Sequence, residues 1–171
     1  MAVQTVLTYP DPRLKQASPE TDLKNPRWAG LFTDLVDTLR AFPGCVGLAA
    51  PQIGAMARCL AVDVSSSPRG GENHGLVLLV NPRLVEASQW KIGREGCLSF
   101  PDLLANVKRA QKTRLTGLDP AGRLLELSCV GFEAVAIQHE IDHLDGILFL
   151  DRIRSSKDLF ERRTPGAPAP Q

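Results

Sequence analysis

Late in the chain stands Gln138-His139-Glu140-Ile141-Asp142-His143-Leu144-Asp145-Gly146. Its centre is His-Glu-x-x-His. On a helix, residues four apart share one face, so His139 and His143 can grip one metal ion from the same side. Glu140 follows the first histidine, where a carboxylate can take a proton from a water activated by that ion. These residues imply a hydrolase, and the third metal ligand decides which one. Two partly buried core histidines are the alternative reading. The chain has only three histidines, however, and two of them flank this glutamate at ligand spacing. The third, His74, lies in a glycine-rich stretch and reads as a solvated loop residue.

Cys97, in Arg94-Glu95-Gly96-Cys97-Leu98-Ser99, is the candidate third ligand. A thiolate suits a transition metal, whereas most free cysteines are small buried hydrophobes. Two features favour the ligand. Gly96 permits close backbone approach, and no histidine follows His143 at the metzincin spacing. A further segment, Cys45-Val46-Gly47-Leu48-Ala49-Ala50-Pro51-Gln52, is a loop of small side chains that also permits close approach. Gln52 can donate from its amide there.

The surrounding elements must bring these segments together. Asn25-Pro26 resembles an N-cap followed by proline at the first helical position. Trp28, Leu31, Leu35, Leu39 and Phe42 then recur at three- and four-residue steps, which predicts an amphipathic helix over about 26–42, ended by Pro43-Gly44. Residues 59–64, 76–80, 84–88, 107–116 and 124–130 read as strands, with an exposed Ser/Gly/Pro-rich loop over 65–75 and a turn at 119–122. A second helix starts near Gly131. Phe132, Val135, Ala136, His139 and His143 fall on or near one of its faces, so it packs against the sheet and carries the metal inward. Gly146 closes it in the left-handed conformation. A short exposed helix over 155–163 and a disordered tail over 164–171 complete the reading. The fold class expected is α+β: one domain over 1–171, mostly antiparallel strands around a buried metal-binding helix, with an amphipathic helix near the N-terminus.

Composition agrees with such a domain. The 171 residues are 43% hydrophobic and 23% charged, with a net charge of +1 that gives no general signal for nucleic acid or membrane. The first residues lack the basic and apolar regions of a secretory signal. The four cysteines are too widely spaced to suggest a disulfide framework, so a reducing, cytoplasmic location is expected.

Taken in order, the three segments resemble the peptide deformylase family, whose motifs are Gly-x-Gly-x-Ala-Ala-x-Gln, Glu-Gly-Cys-Leu-Ser and Gln-His-Glu-x-Asp-His-Leu-x-Gly. The second and third match in full, and the resemblance runs from the first helix to about Arg154. It implies removal of the formyl group from the N-terminal formyl-methionine of newly made polypeptides, releasing formate. Carried over onto this sequence, Cys97, His139 and His143 bind one divalent metal, expected to be Fe(II), with zinc or nickel as substitutes. Glu140 is general base and then general acid. The Gln52 amide and the Leu98 backbone N–H stabilise the oxyanion, and Val46, Gly47 and Gly96 pair with the substrate backbone as with an added strand. Glu95 and Arg109 are expected to pair beneath the Cys97 segment, Asp142 to orient the site from its helix, and Phe132 and Val135 to line a methionine pocket.

Two positions depart from the family. Cys45 stands in place of the first glycine, and Leu104 in place of an arginine that contacts substrate backbone in many bacterial members. Rival readings are an endopeptidase and a non-enzymatic module with a closed, four-ligand structural metal site. The basic residues Arg152, Arg154, Lys157, Arg162 and Arg163 read either as a weak contact with ribosomal RNA or as a solvated charged helix.

Overall fold

The computed structural model describes residues 3–162, so the expected tail at 164–171 lies outside the described residues. One helix, α1 (Leu31–Ala41), precedes a run of strands: β1 (Gly47–Ala49), β2 (Cys59–Val62), β3 (Val77–Cys97), β4 (Phe100–Leu118) and β5 (Leu124–Val130). The helix α2 (Gly131–Leu144) follows, and a short strand, β6 (Leu159–Glu161), comes last. All pairings are antiparallel. The sheet runs β1-β2-β3-β4-β5, with β6 also paired to β4. The architecture is the α+β class expected.

The first helix is shorter than its periodicity suggests. Asn25 does cap, accepting from Arg27 N, but the turn it caps is a 3₁₀ turn over Pro26–Trp28. Gly30, at φ +83°, then breaks the path, because a residue in the left-handed region cannot continue a right-handed helix. Leu31, Leu35 and Leu39 form the buried stripe of α1 and pack on Cys59, Ala61 and Val80 of the sheet.

The strands expected at 76–80 and 84–88 are one strand of 21 residues, and the strand expected at 107–116 extends to 19 residues. Together β3 and β4 form a long two-stranded arm with register shifts near Val80, Leu84 and Gly96. From Arg83 to Arg94 the arm faces solvent almost throughout. Its backbone ladder, not apolar alternation, holds it. The short helix expected at 155–163 is instead a 3₁₀ turn, Ser156–Asp158, followed by β6. There the open edge of β4 offers Leu103–Ala105 as a template for Leu159–Glu161.

Helix α2 is buried over nearly its whole length. It packs Ala134, Ile137, Ile141 and Leu144 against Leu60, Val62, Leu79 and Leu115. A polar anchor sets its position. On the outer edge of β4, residues 112–118 pair with β5 and residues 103–105 with β6. Between them Gln138 takes the place of a strand. Its Oε1 accepts from Ala110 N at 3.1 Å, and its Nε2 donates to Ala110 O at 2.8 Å and to Ala134 O at 2.7 Å. Gly146, at φ +69°, ends the helix as expected. A side chain there would meet Lys15 O at 2.8 Å. No helix among the described residues is long and apolar enough to cross a membrane.

A buried amide satisfied three times over is costly to remove. Gln138→Leu leaves Ala110 N–H and C=O without partners, each worth about 1–3 kcal/mol. Urea unfolding of this variant is expected to show a loss of at least about 2 kcal/mol. Gln111→Leu, which removes one long bond to Arg109 O at 3.4 Å, is expected to change stability little.

Candidate active site

The strand β3 ends at Cys97, and a two-residue turn, Leu98-Ser99, returns the chain into β4. Cys97 pairs with Phe100 and Gly96 with Leu104, so residues 101–103 are extra on β4. Bulges of this kind re-aim neighbouring side chains. Here the turn delivers the Cys97 sulfur to α2, 3.2 Å from His143 Nε2. One helical turn separates His139 from His143, and their rings lie 5.0 Å apart. Ligand atoms of Cys97, His139 and His143 all fall within 4.8 Å of one another.

Electrostatics ties these groups together. Burial acts to raise the Cys97 thiol, but His143 and His139 outweigh it and hold the thiol well below its ordinary value. Burial likewise opposes a charged His139, but Cys97 and Glu95 hold that imidazole well above its usual range. The set fits a divalent transition ion. It offers one soft thiolate and two imidazoles, and beside it the buried Glu140 Oε2 has no hydrogen-bond partner. Three ligands leave a coordination position open, and Cys45 does not join the group. Its thiol donates to Gly47 O at 3.2 Å, and burial, helped by Glu140, pushes it up to about 12.

Glu140 is held against the β1 loop. A side chain at Gly47 would overlap the Glu140 carboxylate, whose carbon lies 2.9 Å from where a Cβ would sit. Only glycine lets β1 run this close. Burial pushes Glu140 up to about 7, against the pull of His139 and His143. Gln52 reaches the same place from the 3₁₀ turn Ala50–Ile53. Its Oε1 accepts from Ala49 N at 2.9 Å, which turns its Nε2 toward Ser99 Oγ at 3.2 Å and Cys97 Sγ at 3.5 Å. The N-terminal segment braces both motifs: Leu7 N donates to Gln52 O and Tyr9 N to Ser99 O.

Behind the histidines lies a buried ionic chain. Glu95 Oε2 bonds His139 Nδ1 at 2.9 Å, leaving Nε2 free for a ligand. Arg109 grips Glu95 with two bonds, at 2.8 and 3.1 Å, and also reaches Asp142. Asp142 accepts two further bonds from Arg152, at 2.6 and 3.0 Å. The expected Glu95–Arg109 pair is therefore present, and Asp142 is buried within the same network. Burial acts to raise Glu95, but His139 and Arg109 hold it down at about 2.

A cavity of about 440 Å³ opens in front of these groups. Val46, Gly47 and Gln52 form one wall, and Gly96, Cys97 and Leu98 form another. His139 and Glu140 close it at depth, with His143 buried behind. Phe132 and Val135 border it. Sequence reasoning placed Arg162 only in the basic segment and missed its position at the cavity. From beyond β6 its guanidinium lies over Gly96, against Leu104, at the cavity mouth. Its backbone N donates to Asp102 O at 2.7 Å, and Arg94 stacks 3.6 Å above the ring of Phe160 beside it. No local pattern announces this placement, because it depends on β6 adding to β4.

An α+β fold that presents a thiolate and two imidazoles beside a buried glutamate defines a class of metal-dependent hydrolase. The chain belongs to the polypeptide deformylase family, whose model matches residues 3–159. It is similar to a peptide deformylase of Syntrophobacter fumaroxidans, 38% identical over 95% of this chain and 94% of the relative. It is 41% identical to peptide deformylase 2 of Vibrio cholerae over 92% of this chain and 90% of that one. Among solved structures, a peptide deformylase from Legionella pneumophila superposes with a TM-score of 0.81 at 35% identity, covering 92% of this chain and 89% of that chain. A class I type b peptide deformylase from Acinetobacter baumannii, solved with Met-Ala-Ser bound, gives 0.81 at 34% identity, over 89% of this chain and 99% of that one.

The ionic chain yields a stability prediction. Arg109→Met takes two bonds from Glu95 and one from Asp142, leaving them His139 and Arg152, and breaking a buried ion pair costs about 3–5 kcal/mol. Chemical denaturation is expected to register a loss of that size. An unchanged midpoint would mean the network holds nothing together.

Proposed function

We propose that this chain removes the formyl group from the N-terminal formyl-methionine of newly made polypeptides through the site just described. The observation that carries the reading is the triangle of Cys97, His139 and His143 set beside Glu140 and the Gln52 amide. Those three residues hold one divalent cation, and Fe(II) is the ion we favour, with zinc or nickel able to replace it. When bound, such an ion lowers the pKa of a water toward about 7 and draws charge from the formyl oxygen.

The chain's own groups do the rest. Glu140, held near neutrality by burial, takes the proton of the attacking water as the new C–O bond forms. Gln52 Nε2 and the Leu98 backbone N–H donate to the oxygen that gains negative charge. The bond from Ala49 N fixes the Gln52 amide before the reaction, and a preset donor of this kind is worth about 3 kcal/mol. Glu140 then gives its proton to the amide nitrogen, the C–N bond breaks, and formate and a free amino terminus result. The tight approach of Gly47 to Glu140 leaves room for a carbon bearing hydrogen and little for a bulkier acyl group.

The peptide lies between two open backbone edges. β1 is an edge strand, and β3 beyond its pairing with β2 at Val80 is free on that side among the described residues. Val46, Gly47 and Gly96 supply these edges. Phe132 and Val135 line the methionine pocket. The guanidinium of Arg162 occupies the mouth next to Leu104 and offsets the arginine absent at that position. Arg152 is committed to Asp142 and Arg162 to the cavity. Among the described residues this leaves Arg154 and Lys157 for contact of the segment with ribosomal RNA, while Arg163 lies outside those residues. We place the protein in the cytoplasm, where its four unpaired cysteines stay reduced.

Protein prepared without oxygen and loaded with Fe(II) is expected to release formate from formyl-Met-Ala-Ser. Glu140→Gln is expected to keep the ion and lose about 10²–10⁴-fold in rate, whereas Cys97→Ser is expected to lose the ion. Cleavage of casein without turnover of the formyl peptide would defeat the proposal in favour of an endopeptidase. Arg162→Ala removes binding that does not change along the reaction, so KM for the same peptide is expected to rise several-fold at constant kcat.

A further inference from the structure

A second set of metal-binding groups lies outside the catalytic cavity. His74 at the end of loop 65–75, Cys129 in β5 and Glu133 in the first turn of α2 also bring their ligand atoms within 4.8 Å of one another. Glu133 stands six residues before His139, roughly 9 Å along the helix axis. The carboxylate of Glu133 is buried, at 1% exposure, and its partners both come from His74. The His74 backbone N donates to Oε1 at 2.8 Å, and the ring Nδ1 lies 2.8 Å from Oε2. His74 is thus the clasp that pins loop 65–75 to α2, not the free loop residue its glycine-rich surroundings suggest.

Cys129 faces the same carboxylate from the sheet. Burial pushes its thiol up to about 12, and Glu133 adds to the effect. A cation bound between the two would reverse this, because a coordinated thiol gives up its proton. Thr113 is the direct cross-strand partner of Cys129, so their side chains share a face of the sheet. Its buried Oγ1 has no hydrogen-bond partner. A buried thiol and a buried carboxylate stand within reach of one ion here, with an unmet hydroxyl on the same face of the sheet.

We propose that His74, Cys129 and Glu133 form a second metal site, specific for a zinc-class divalent ion. Mixed sulfur, nitrogen and oxygen donors suit zinc, while calcium and magnesium take oxygen donors alone. The imidazole is half exposed, at 43%, so the ion enters from the surface and keeps a solvent position. Its effect reaches the catalytic cavity through the loop. Arg69, on the same loop, stacks 3.8 Å above the ring of Phe132, the residue next to Glu133, and both Arg69 and Phe132 line the cavity. An ion at His74 holds the loop, and the loop holds this edge of the substrate pocket.

The site rests on residues that formyl hydrolysis does not use; only its effect on KM depends on that reading. Metal content is measured by mass spectrometry after equilibration with micromolar zinc and gel filtration. The wild-type chain is expected to carry two equivalents and His74→Ala one. Cys97→Ser is expected to retain one, which the double variant with His74→Ala loses. Cobalt substitution adds a second readout. The sulfur-to-cobalt absorption that survives in Cys97→Ser is expected to vanish when Cys129→Ala is added to that variant, while the circular dichroism of His74→Ala stays that of wild type. One equivalent in the wild type, or a second equivalent that persists in both His74→Ala and Cys129→Ala, overturns the site. Filling it is expected to lower KM for formyl-Met-Ala-Ser in the Fe(II) enzyme but not in His74→Ala. Zinc that binds there without moving KM overturns the coupling to the pocket.

Discussion

Arg109 is the residue on which the arrangement depends. It sits in the middle of β4, buried, with carboxylates on either side: Glu95 from the neighbouring strand and Asp142 from α2. A guanidinium is planar and always charged, so it can satisfy both in fixed directions. Through Glu95 it sets the ring of His139, and through Asp142 it sets the turn of helix that bears His143. The hairpin that delivers Cys97 and the helix that delivers the histidines are thereby registered against each other by charge. Apolar packing alone tolerates sliding, whereas this lattice of directed bonds does not.

The reactive groups are positioned with little freedom left. Gln52 cannot turn its amide around, because its oxygen is held by Ala49 N. Glu140 stands so close to β1 that a side chain at position 47 would displace it. Such constraint matters for hydrolysis of an unactivated amide, where donors must stand ready before charge develops. The same crowding explains why Cys45, though near Glu140, is a bystander. Its hydrogen bond to Gly47 O turns the sulfur toward the backbone.

Much of this was legible from residue order. His-Glu-x-x-His has a meaning set by helical geometry alone, and α2 forms where its spacing requires. β5 spans the residues its pattern marks out, 124–130. The Glu95–Arg109 pair is expected from the resemblance to the family, since the pattern marks no strand at 95–97. What stayed hidden was non-local. Arg83 to Arg94 lacks apolar alternation because both faces of the arm meet water, so only its partner strand reveals it. Gly30 breaks a stripe that looks continuous, since periodicity records side chains and not φ. Gln138 sits in a motif yet serves as a strand surrogate, and Arg162 reaches the cavity only because β6 finds an edge to join.

The closure of β4 has a consequence for how the molecule meets other chains. An unpaired strand edge invites any extended backbone, including that of a neighbouring copy. β5, the Gln138 amide and β6 divide the outer margin of β4 among them. Open hydrogen-bonding groups are thereby left on β1 and on β3 beyond Val80. The fold steers a visiting polypeptide by elimination, and the same tiling guards the outer margin of β4 against self-association.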